Sequence, residues 1–167
     1  LYNLDSLTGA NNRIGMLTRL REQQDLVKRQ VQSCCIAMMD IDHFKAVNDA
    51  YGHMAGDRIL AISAHYVMEH FRPYDKLFRY GGEEFLICMQ NTNATVGYEV
   101  VERVRQGLAA TPIDFGGKST IQNTMSFGVT LLDPDVSVEQ SIERADKAMY
   151  AAKTAGRNCT RMWEPSM

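Results

Sequence analysis

Two short acidic segments carry the residue types best suited to chemistry. The first is the turn at residues 79–85 (RYGGEEF), in which Glu83 and Glu84 follow a glycine pair. The residues on both sides favour β-strands, so the glycine pair predicts a hairpin turn, where glycine supplies a positive φ. A solvated loop could hold the same two glutamates without a function. The turn alone does not decide between these interpretations.

The second acidic segment, residues 36–45 (IAMMDIDHFK), gives the glutamates a chemical role. Its apolar run predicts a buried strand that ends in Asp40 and Asp42. Side chains at i and i+2 of a strand share a face, so both aspartates should point the same way while Ile41 enters the core. If this strand lies beside the hairpin, four carboxylates crowd one sheet edge, and a cation relieves their repulsion. Because hard oxygen ligands suit Mg²⁺, the two segments predict a magnesium–phosphate site.

The elements that must position these segments mix strands with helices. The first helix has a narrow apolar stripe of Leu17, Leu20 and Val27, so we expect it to pack loosely or to face a partner. Strands on one sheet with helices on one or both faces make an α/β or α+β sandwich. The predicted elements are a helix from 13, a strand over 32–39, a helix over 44–49, a helix from 57 that stops at Pro73, a hairpin of 76–80 and 85–90, a helix after 93, a hairpin of 113–115 and 120–132 turning at Gly116 and Gly117, a helix from 137 to Gly156, and a strand over 159–163.

Composition and charge narrow the class of protein. The chain has the length of one domain, 167 residues, with 45% hydrophobic and 23% charged residues, which is ordinary for a globular protein. Its net charge of −2 provides no general attraction for nucleic acid or an anionic membrane. The sequence shows no transmembrane stretch and no signal peptide, and its four cysteines form no Cys-x-x-Cys pair, so we expect free thiols and a cytoplasmic location. Since Leu1 does not follow an initiator methionine, we expect one domain, residues 1–167, excised from a longer sensor protein.

Four motifs, in order and spacing, resemble those of the GGDEF family of diguanylate cyclases, in the variant with Glu in place of Asp. Together they cover nearly the whole chain, which makes the resemblance specific. It implies a central, mostly antiparallel sheet flanked by helices, similar to the palm of nucleotidyl cyclases and polymerases. The motifs are GGEEF at 81–85; DIDHFK at 40–45 with Asn48-Asp49, Gly52-His53 and Gly56-Asp57; DSLTG at 5–9 with Asn12-Arg13; and Ala145-Asp146 through Gly156-Arg157-Asn158.

The resemblance implies a metal site with a catalytic carboxylate. Asp40, the Ile41 carbonyl oxygen and Glu83 would hold Mg²⁺, or Mn²⁺, on the β- and γ-phosphates of GTP. Glu83 would also take the proton from the attacking ribose 3′-hydroxyl, with Glu84 as a helper. Whether Asp42 joins as a direct or outer ligand is left open.

The resemblance also assigns the contacts with guanine. Asn48 and Asp57 would read the guanine edge, and His53 belongs to the same binding segment. The Asp57 carboxylate would accept from guanine N1–H and the exocyclic amine, which adenine does not match. The structural alternatives are a turn residue for Asn48 and a helix N-cap for Asp57.

Three cations are assigned to the phosphates. Lys45 would stabilise the transition state near the α-phosphate, and Lys153 and Arg157 would bind the triphosphate. Otherwise Lys45 is a surface lysine, and the other two are cations that suit a helix C-terminus.

One further motif, Arg72-Pro73-Tyr74-Asp75, resembles the family's Arg-x-x-Asp inhibitory site, where the cyclic product binds and slows synthesis. An arginine can stack on guanine and also fork onto phosphate. The alternative is a helix-to-strand connector with an ion pair. A contribution from Arg103 is left open.

The predicted function is therefore a diguanylate cyclase, in which two GTP-bound domains meet as a homodimer and form cyclic di-GMP and two pyrophosphates. The alternative is a catalytically idle domain that binds GTP or cyclic di-GMP and regulates a partner. A bare dimerisation module would leave the acidic residues unexplained. The presence of every motif residue favours the enzyme.

Overall fold

The fold is a five-stranded sheet with helices on both faces, described for residues 4–114 and 120–167 of the computed structural model. A two-stranded sheet lies apart from it in the topology. Among the described residues, no helix joins the length and the hydrophobicity needed to cross a bilayer. The elements are a 3₁₀ turn (Arg13–Gly15), α1 (Met16–Lys28), β1 (Cys34–Ile41), α2 (Phe44–Tyr51), α3 (His53–His70), β2 (Lys76–Arg79), β3 (Glu84–Gln90), α4 (Ala94–Ala110), β4 (Pro112–Asp114), β5 (Thr120–Gln122), β6 (Met125–Leu131), α5 (Val138–Thr154) and β7 (Thr160–Met162).

Among the described residues, the main sheet has the strand order β2-β3-β1-β6-β7, in which the β6–β7 pair is parallel and the other three pairs are antiparallel. The central strand β1 is buried along its whole length. Its last residues face β3 and β6, with Asp40 paired to Glu84 on one side and Ser126 on the other. The predicted sandwich is confirmed, and the acidic strand does lie beside the acidic hairpin.

Alternate residues of β1 divide the core into two layers. Cys35, Met39 and Ile41 pack with α3 and α4, whereas Cys34 and Met38 pack with α1 and α5. This alternation follows from the two-residue period of a strand. The two adjacent cysteines therefore face opposite layers, as predicted, and all four cysteines are free thiols, with Cys159 partly exposed.

Helix α5 lies directly on the backbone of β6 because Gly128 has no side chain. A Cβ at this position would stand 2.1 Å from the Ala145 carbonyl oxygen and 2.1 Å from the Met149 nitrogen. No side chain fits into that gap, so the glycine sets the distance between helix and sheet.

Helix α1 is more firmly packed than its narrow stripe predicts. Met16 and Leu20 are fully buried in the core. The amide of Gln24 donates to the carbonyl oxygens of Asp133 at 3.1 Å and Val136 at 2.7 Å. The prediction of loose packing is wrong, because buried polar side chains extend the contact face beyond its apolar stripe.

The long strand predicted over 120–132 is two strands. Thr120–Gln122 pairs with Pro112–Asp114 in the small sheet, whereas Met125–Leu131 joins the main sheet. The break falls at Asn123, whose amide donates to the Ser63 hydroxyl of α3 at 2.9 Å. The predicted turn at Gly116 and Gly117, with Phe115, lies outside the described residues.

Candidate active site

The acidic edge of the sheet brings together the residues predicted to hold a metal. Asp40 is the second-last residue of β1 and pairs with Glu84, the first residue of β3, while Glu83 is the last residue of the turn. The Ile41 N–H donates to the Glu83 carbonyl oxygen at 3.4 Å. Asp40 is only 5% exposed, so a carboxylate is buried next to two others.

The electrostatics of this edge favour a cation. Burial raises the pKa of Asp40 to about 6, against the effect of Lys153, and the neighbouring charges of Glu83 and Glu84 add to the rise. Burial also raises the pKa of Glu84, and Asp146 contributes. The Lys153 ammonium, from the last turn of α5, contacts the Asp40 carboxylate. The Asp40 carboxylate thus already binds one positively charged group, the Lys153 ammonium.

The oxygen donors of the acidic edge fit a Mg²⁺ ion that is held partly by the protein and partly by substrate phosphates. Within residues 4–114 and 120–167, no three Asp, Glu, His or Cys side chains converge on one point. Two carboxylates, Asp40 and Glu83, and the Ile41 carbonyl are nevertheless hard oxygen donors. Mg²⁺ typically takes one or two carboxylates and completes its shell with phosphates and water.

Neither backbone conformation nor contacts within the protein require the glycine pair of the turn. Neither Gly81 nor Gly82 has a positive φ, so the predicted reason for them is wrong. A Cβ on Gly82 would meet nothing within 4 Å, and one on Gly81 would meet only the Glu84 side chain, at 3.4 Å. The turn therefore leaves its surface open beside the acidic edge, where a ligand can approach the backbone.

Arg79 holds this turn, and sequence reasoning missed it. Its guanidinium donates to the Gly82 carbonyl oxygen at 2.8 and 3.2 Å, and to both carboxylate oxygens of Asp5 at 3.2 Å. Asp5 belongs to the opening motif. One arginine therefore joins the opening motif to the GGEEF turn.

The rest of the opening motif covers the edge strand β2. The Asn11 N–H donates to the Leu77 carbonyl at 2.9 Å, and the Arg79 N–H donates to the Asn11 carbonyl at 2.8 Å. The Arg13 guanidinium lies 4.0 Å from the centre of the Tyr80 ring and donates to the Tyr80 carbonyl at 3.3 Å. These contacts position the hairpin from its outer side.

The predicted guanine-binding residues lie on α2 and α3. Asn48 is inside α2, and its Oδ1 lies 1.8 Å from the position that a Cβ on Gly56 would occupy. Asp57 is exposed in the second turn of α3, whose N-cap is Gly52. The helix begins at His53, four residues earlier than predicted, so the N-cap alternative for Asp57 is wrong, as is the turn alternative for Asn48. Lys45 and Asn48 share a face of α2 at i and i+3, and Lys45 is exposed.

The closing motif forms a turn after α5 with three successive positive φ angles. They are 117° at Gly156, 65° at Arg157 and 45° at Asn158. The Asn158 N–H donates to Asp42 Oδ2 at 2.9 Å. Arg157 is exposed and lies four residues beyond Lys153.

The Arg-x-x-Asp motif lines a cavity of about 340 Å³. Arg72 donates to Asp75 at 2.9 and 3.0 Å, and its Nη2 also donates to the Gln90 carbonyl and the Thr92 hydroxyl, both at 2.7 Å. The ion pair of the connector interpretation therefore exists. The same cavity is also lined by Arg103 of α4, which gathers two arginines at one opening.

Comparison with known proteins gives the family that the sequence motifs resemble. The model of the family described as "Diguanylate cyclase, GGDEF domain" matches residues 2–159. Diguanylate cyclase DgcP of Pseudomonas aeruginosa is 39% identical over 154 residues, which make up 92% of this chain and 23% of that relative. The chain spans less than half the length of the curated relatives it matches.

Two solved structures show the same fold. The GGDEF domain of DgcB from Caulobacter crescentus, in complex with c-di-GMP, has a TM-score of 0.91 at 30% identity, covering 97% of this chain and 93% of that chain. The active GGEEF domain of a diguanylate cyclase from Vibrio cholerae has a TM-score of 0.85 at 30% identity, covering 92% of this chain and 97% of that chain.

Proposed function

We propose that this chain, which belongs to the GGDEF family of diguanylate cyclases, condenses two molecules of GTP into cyclic di-GMP and two pyrophosphates. The observation that carries the proposal is the buried Asp40, placed beside Glu83 and Glu84 and in contact with Lys153. An edge with this charge arrangement suits a triphosphate that arrives with its cation. The c-di-GMP complex and the active GGEEF domain among the similar structures support it.

The protein's own groups divide the work of the reaction. Bound Mg²⁺, or Mn²⁺, held by Asp40, the Ile41 carbonyl and Glu83, would neutralise charge on the phosphates and on the leaving pyrophosphate. Glu83 accepts the proton of the ribose 3′-hydroxyl, with Glu84 beside it. The 3′-oxygen forms a bond to the α-phosphorus, and the bond between the α- and β-phosphates breaks.

Three cations stabilise the phosphates. Lys45 places a point charge near the α-phosphate, while Lys153 and Arg157 bind the triphosphate. Lys153 already faces the acidic edge, so a small movement takes its ammonium from Asp40 to a phosphate oxygen. Charge that develops in the transition state is thereby met by groups that the fold holds nearby.

Guanine is selected by Asn48 and Asp57, with His53 in the same segment. Asp57 offers a carboxylate to the paired donors of guanine, and Asn48 is fixed against Gly56. An adenine would leave these polar groups unmatched, which costs binding free energy.

Two copies of the domain must meet, since each holds one GTP and each 3′-hydroxyl attacks the other's α-phosphate. The Arg72 cavity, with Asp75 and Arg103, is proposed as the site where cyclic di-GMP binds and limits synthesis. The free thiols fit a reducing compartment, and we place the domain in the cytoplasm.

The decisive experiment is incubation with GTP and Mg²⁺, with chromatography of the products. Wild-type protein should form cyclic di-GMP and pyrophosphate, and Asp40→Ala and Glu83→Ala should form neither. Asp133→Asn, at the opposite end of the sheet, is the matched control and should remain active. A wild-type protein that binds cyclic di-GMP but turns over no GTP would establish the idle regulatory domain instead.

The need for two domains is tested by dilution. Where dimers are scarce, their concentration rises as the square of the monomer concentration, so specific activity should climb with enzyme concentration. The series should span on the order of a hundredfold, with sedimentation at the same concentrations. A constant specific activity from a species that sediments as a monomer would contradict the two-domain mechanism.

A further inference from the structure

The turn after α5 adopts a conformation that its residues do not favour on their own. Its first part is a common helix ending, because the Gly156 N–H donates to the Lys153 carbonyl at 3.3 Å and the Arg157 N–H to the Ala152 carbonyl at 3.1 Å. Glycine accepts the positive φ of that ending. Arg157 and Asn158 then continue in the left-handed region, at 65° and 45°. Two consecutive non-glycine residues remain there only where surrounding contacts fix them.

Asn158 receives those contacts from two sides. Its N–H donates to Asp42 Oδ2 at 2.9 Å. From α4, Arg105 Nη1 donates to the Asn158 carbonyl at 3.0 Å and to its side-chain oxygen at 2.7 Å. Arg105 is itself held by Glu102 at 2.7 Å. The backbone of Asn158 is therefore fixed at both its N–H and its carbonyl.

The Asp42 carboxylate accepts three hydrogen bonds from the protein. It is 5% exposed, and it accepts from the Ser126 hydroxyl at 2.6 Å and the Thr124 hydroxyl at 2.7 Å, besides the Asn158 N–H. Its own N–H donates to the Thr124 carbonyl at 2.9 Å. Both of its oxygens are thus bonded to the protein, and it lies two residues from Asp40.

We infer that Asp42 is a positioning residue, which holds the left-handed turn so that Arg157 is presented to the triphosphate beside the Asp40 edge. The inference rests on the proposed function, because it concerns how that site is assembled. Asp42 does not ligate the metal. It sets the distance between the metal-binding strand and the arginine that follows α5.

This role differs from that of a metal ligand and from that of a general stabiliser. A ligand would affect cation binding in the absence of nucleotide. A general stabiliser would affect unfolding and every ligand alike. A positioning residue that acts through Arg157 affects nucleotide binding only while Arg157 is present, which a double-mutant cycle detects.

The experiment measures binding of the α,β-methylene analogue of GTP by calorimetry with Mg²⁺ present, for the wild type, Asp42→Asn, Arg157→Ala and the double variant. Asp42→Asn should weaken binding about tenfold, the loss expected for one misplaced charge-assisted contact. The double variant should bind no more weakly than Arg157→Ala. Mn²⁺ affinity without nucleotide should be unchanged in Asp42→Asn, and deuterium uptake over residues 155–160 should increase. Asp133→Asn serves as the matched loss of a carboxylate and should bind the analogue like the wild type.

Arg105→Gln provides a second test, since it releases the same turn from the other side and leaves Asp42 in place. It should also weaken analogue binding and raise deuterium uptake over 155–160. Additive losses in the double variant, or unchanged binding in both Asp42→Asn and Arg105→Gln, would overturn the inference while leaving the proposed function intact. A loss of Mn²⁺ affinity in Asp42→Asn would make Asp42 a ligand. Failure of the wild type to bind the analogue would overturn the proposed function, and the inference with it.

Discussion

Lys153 of α5 contacts the carboxylate of Asp40 at the end of β1, although 113 positions separate the two residues in the sequence. The contact joins the second-last residue of α5, the final helix, to the central strand β1. It places an ammonium group against a carboxylate whose pKa burial has raised. The acidic edge is therefore partly neutralised by the protein itself.

The first prediction concerns the pH dependence of stability at Asp40. Burial and the neighbouring Glu83 and Glu84 raise its pKa from 3.8 to about 6, even with Lys153 beside it. Between these values the folded chain binds more protons than the unfolded chain, so the contribution of Asp40 to stability falls as the pH rises through this window. Asp40→Asn should thus raise the melting temperature at about pH 8 by a few degrees, and its effect should vanish below pH 3.8. Thermal unfolding by circular dichroism, without divalent metal, measures both.

Asp133 provides a control of opposite sign. The Asp135 N–H and the Arg144 guanidinium hold its pKa below the usual value. Asp133→Asn should therefore lower stability at neutral pH and lose this effect in acid. If Asp40→Asn is less stable than the wild type at about pH 8, the ionised Asp40 carboxylate does not destabilise the fold, and the prediction is wrong.

The second prediction concerns Gly56. Because a Cβ there would stand 1.8 Å from Asn48 Oδ1, Gly56→Ala must displace the Asn48 side chain. We expect GTP affinity to fall roughly tenfold, the scale of a lost hydrogen bond to a buried group. Calorimetry with a non-reacting GTP analogue measures this. Gly15→Ala is the matched control, since Gly15 has a φ of −85° and nothing lies within 4 Å of its Cβ position. Equal affinities for the two variants would remove Asn48 from the nucleotide site.

The third prediction separates recognition from helix formation at Asp57. This residue lies inside α3 and does not cap it, so Asp57→Ser should leave helix content and melting temperature nearly unchanged. The preference for GTP over ATP should fall by at least about tenfold, because the carboxylate proposed to match guanine's donors is gone. Competition binding with the two nucleotides decides the matter. A variant that keeps its preference for GTP would leave Asp57 without a role.

The fourth prediction addresses the cavity at Arg72. Arg72→Ala would also break bonds to Asp75, Gln90 and Thr92, so a loss of product binding there is ambiguous. Arg103→Ala is the sharper variant, since Arg103 is exposed on α4 and lines the same cavity. It should weaken binding of cyclic di-GMP about tenfold, raise the level at which product formation stalls, and leave stability unchanged. Unchanged binding in both variants would return Arg72 and Asp75 to the role of connector.

The sequence predicted those parts of the site that depend on strand period and on neighbouring strands. The sequence could predict that the two acidic segments lie side by side, because the alternation along β1 and the hairpin between β2 and β3 are local patterns. Asp40 and Glu84 then meet through a single pairing of strands. The burial of Ile41 followed from the same period.

What the sequence did not predict depends on contacts between distant elements. The Arg79 guanidinium reaches Gly82 and Asp5, and Asn158 reaches Asp42 across 116 positions, with no periodic pattern to indicate either. The start of α3 was missed because Gly52, at a φ of 91°, ends one helix and begins the next without a side-chain cap. Helix signals that rely on polar capping residues do not detect such a start.

The close packing of α5 on β6 at Gly128 determines which amino-acid substitutions this position tolerates. Gly128 touches no proposed ligand, but any larger residue there must lift α5 away from Ala145 and Met149, and with it the ammonium that meets Asp40. In a library of all single substitutions selected for signalling output, position 128 should be as intolerant as the acidic edge itself. Folded, inactive variants would therefore be found at a residue that lies in the core and carries no functional group.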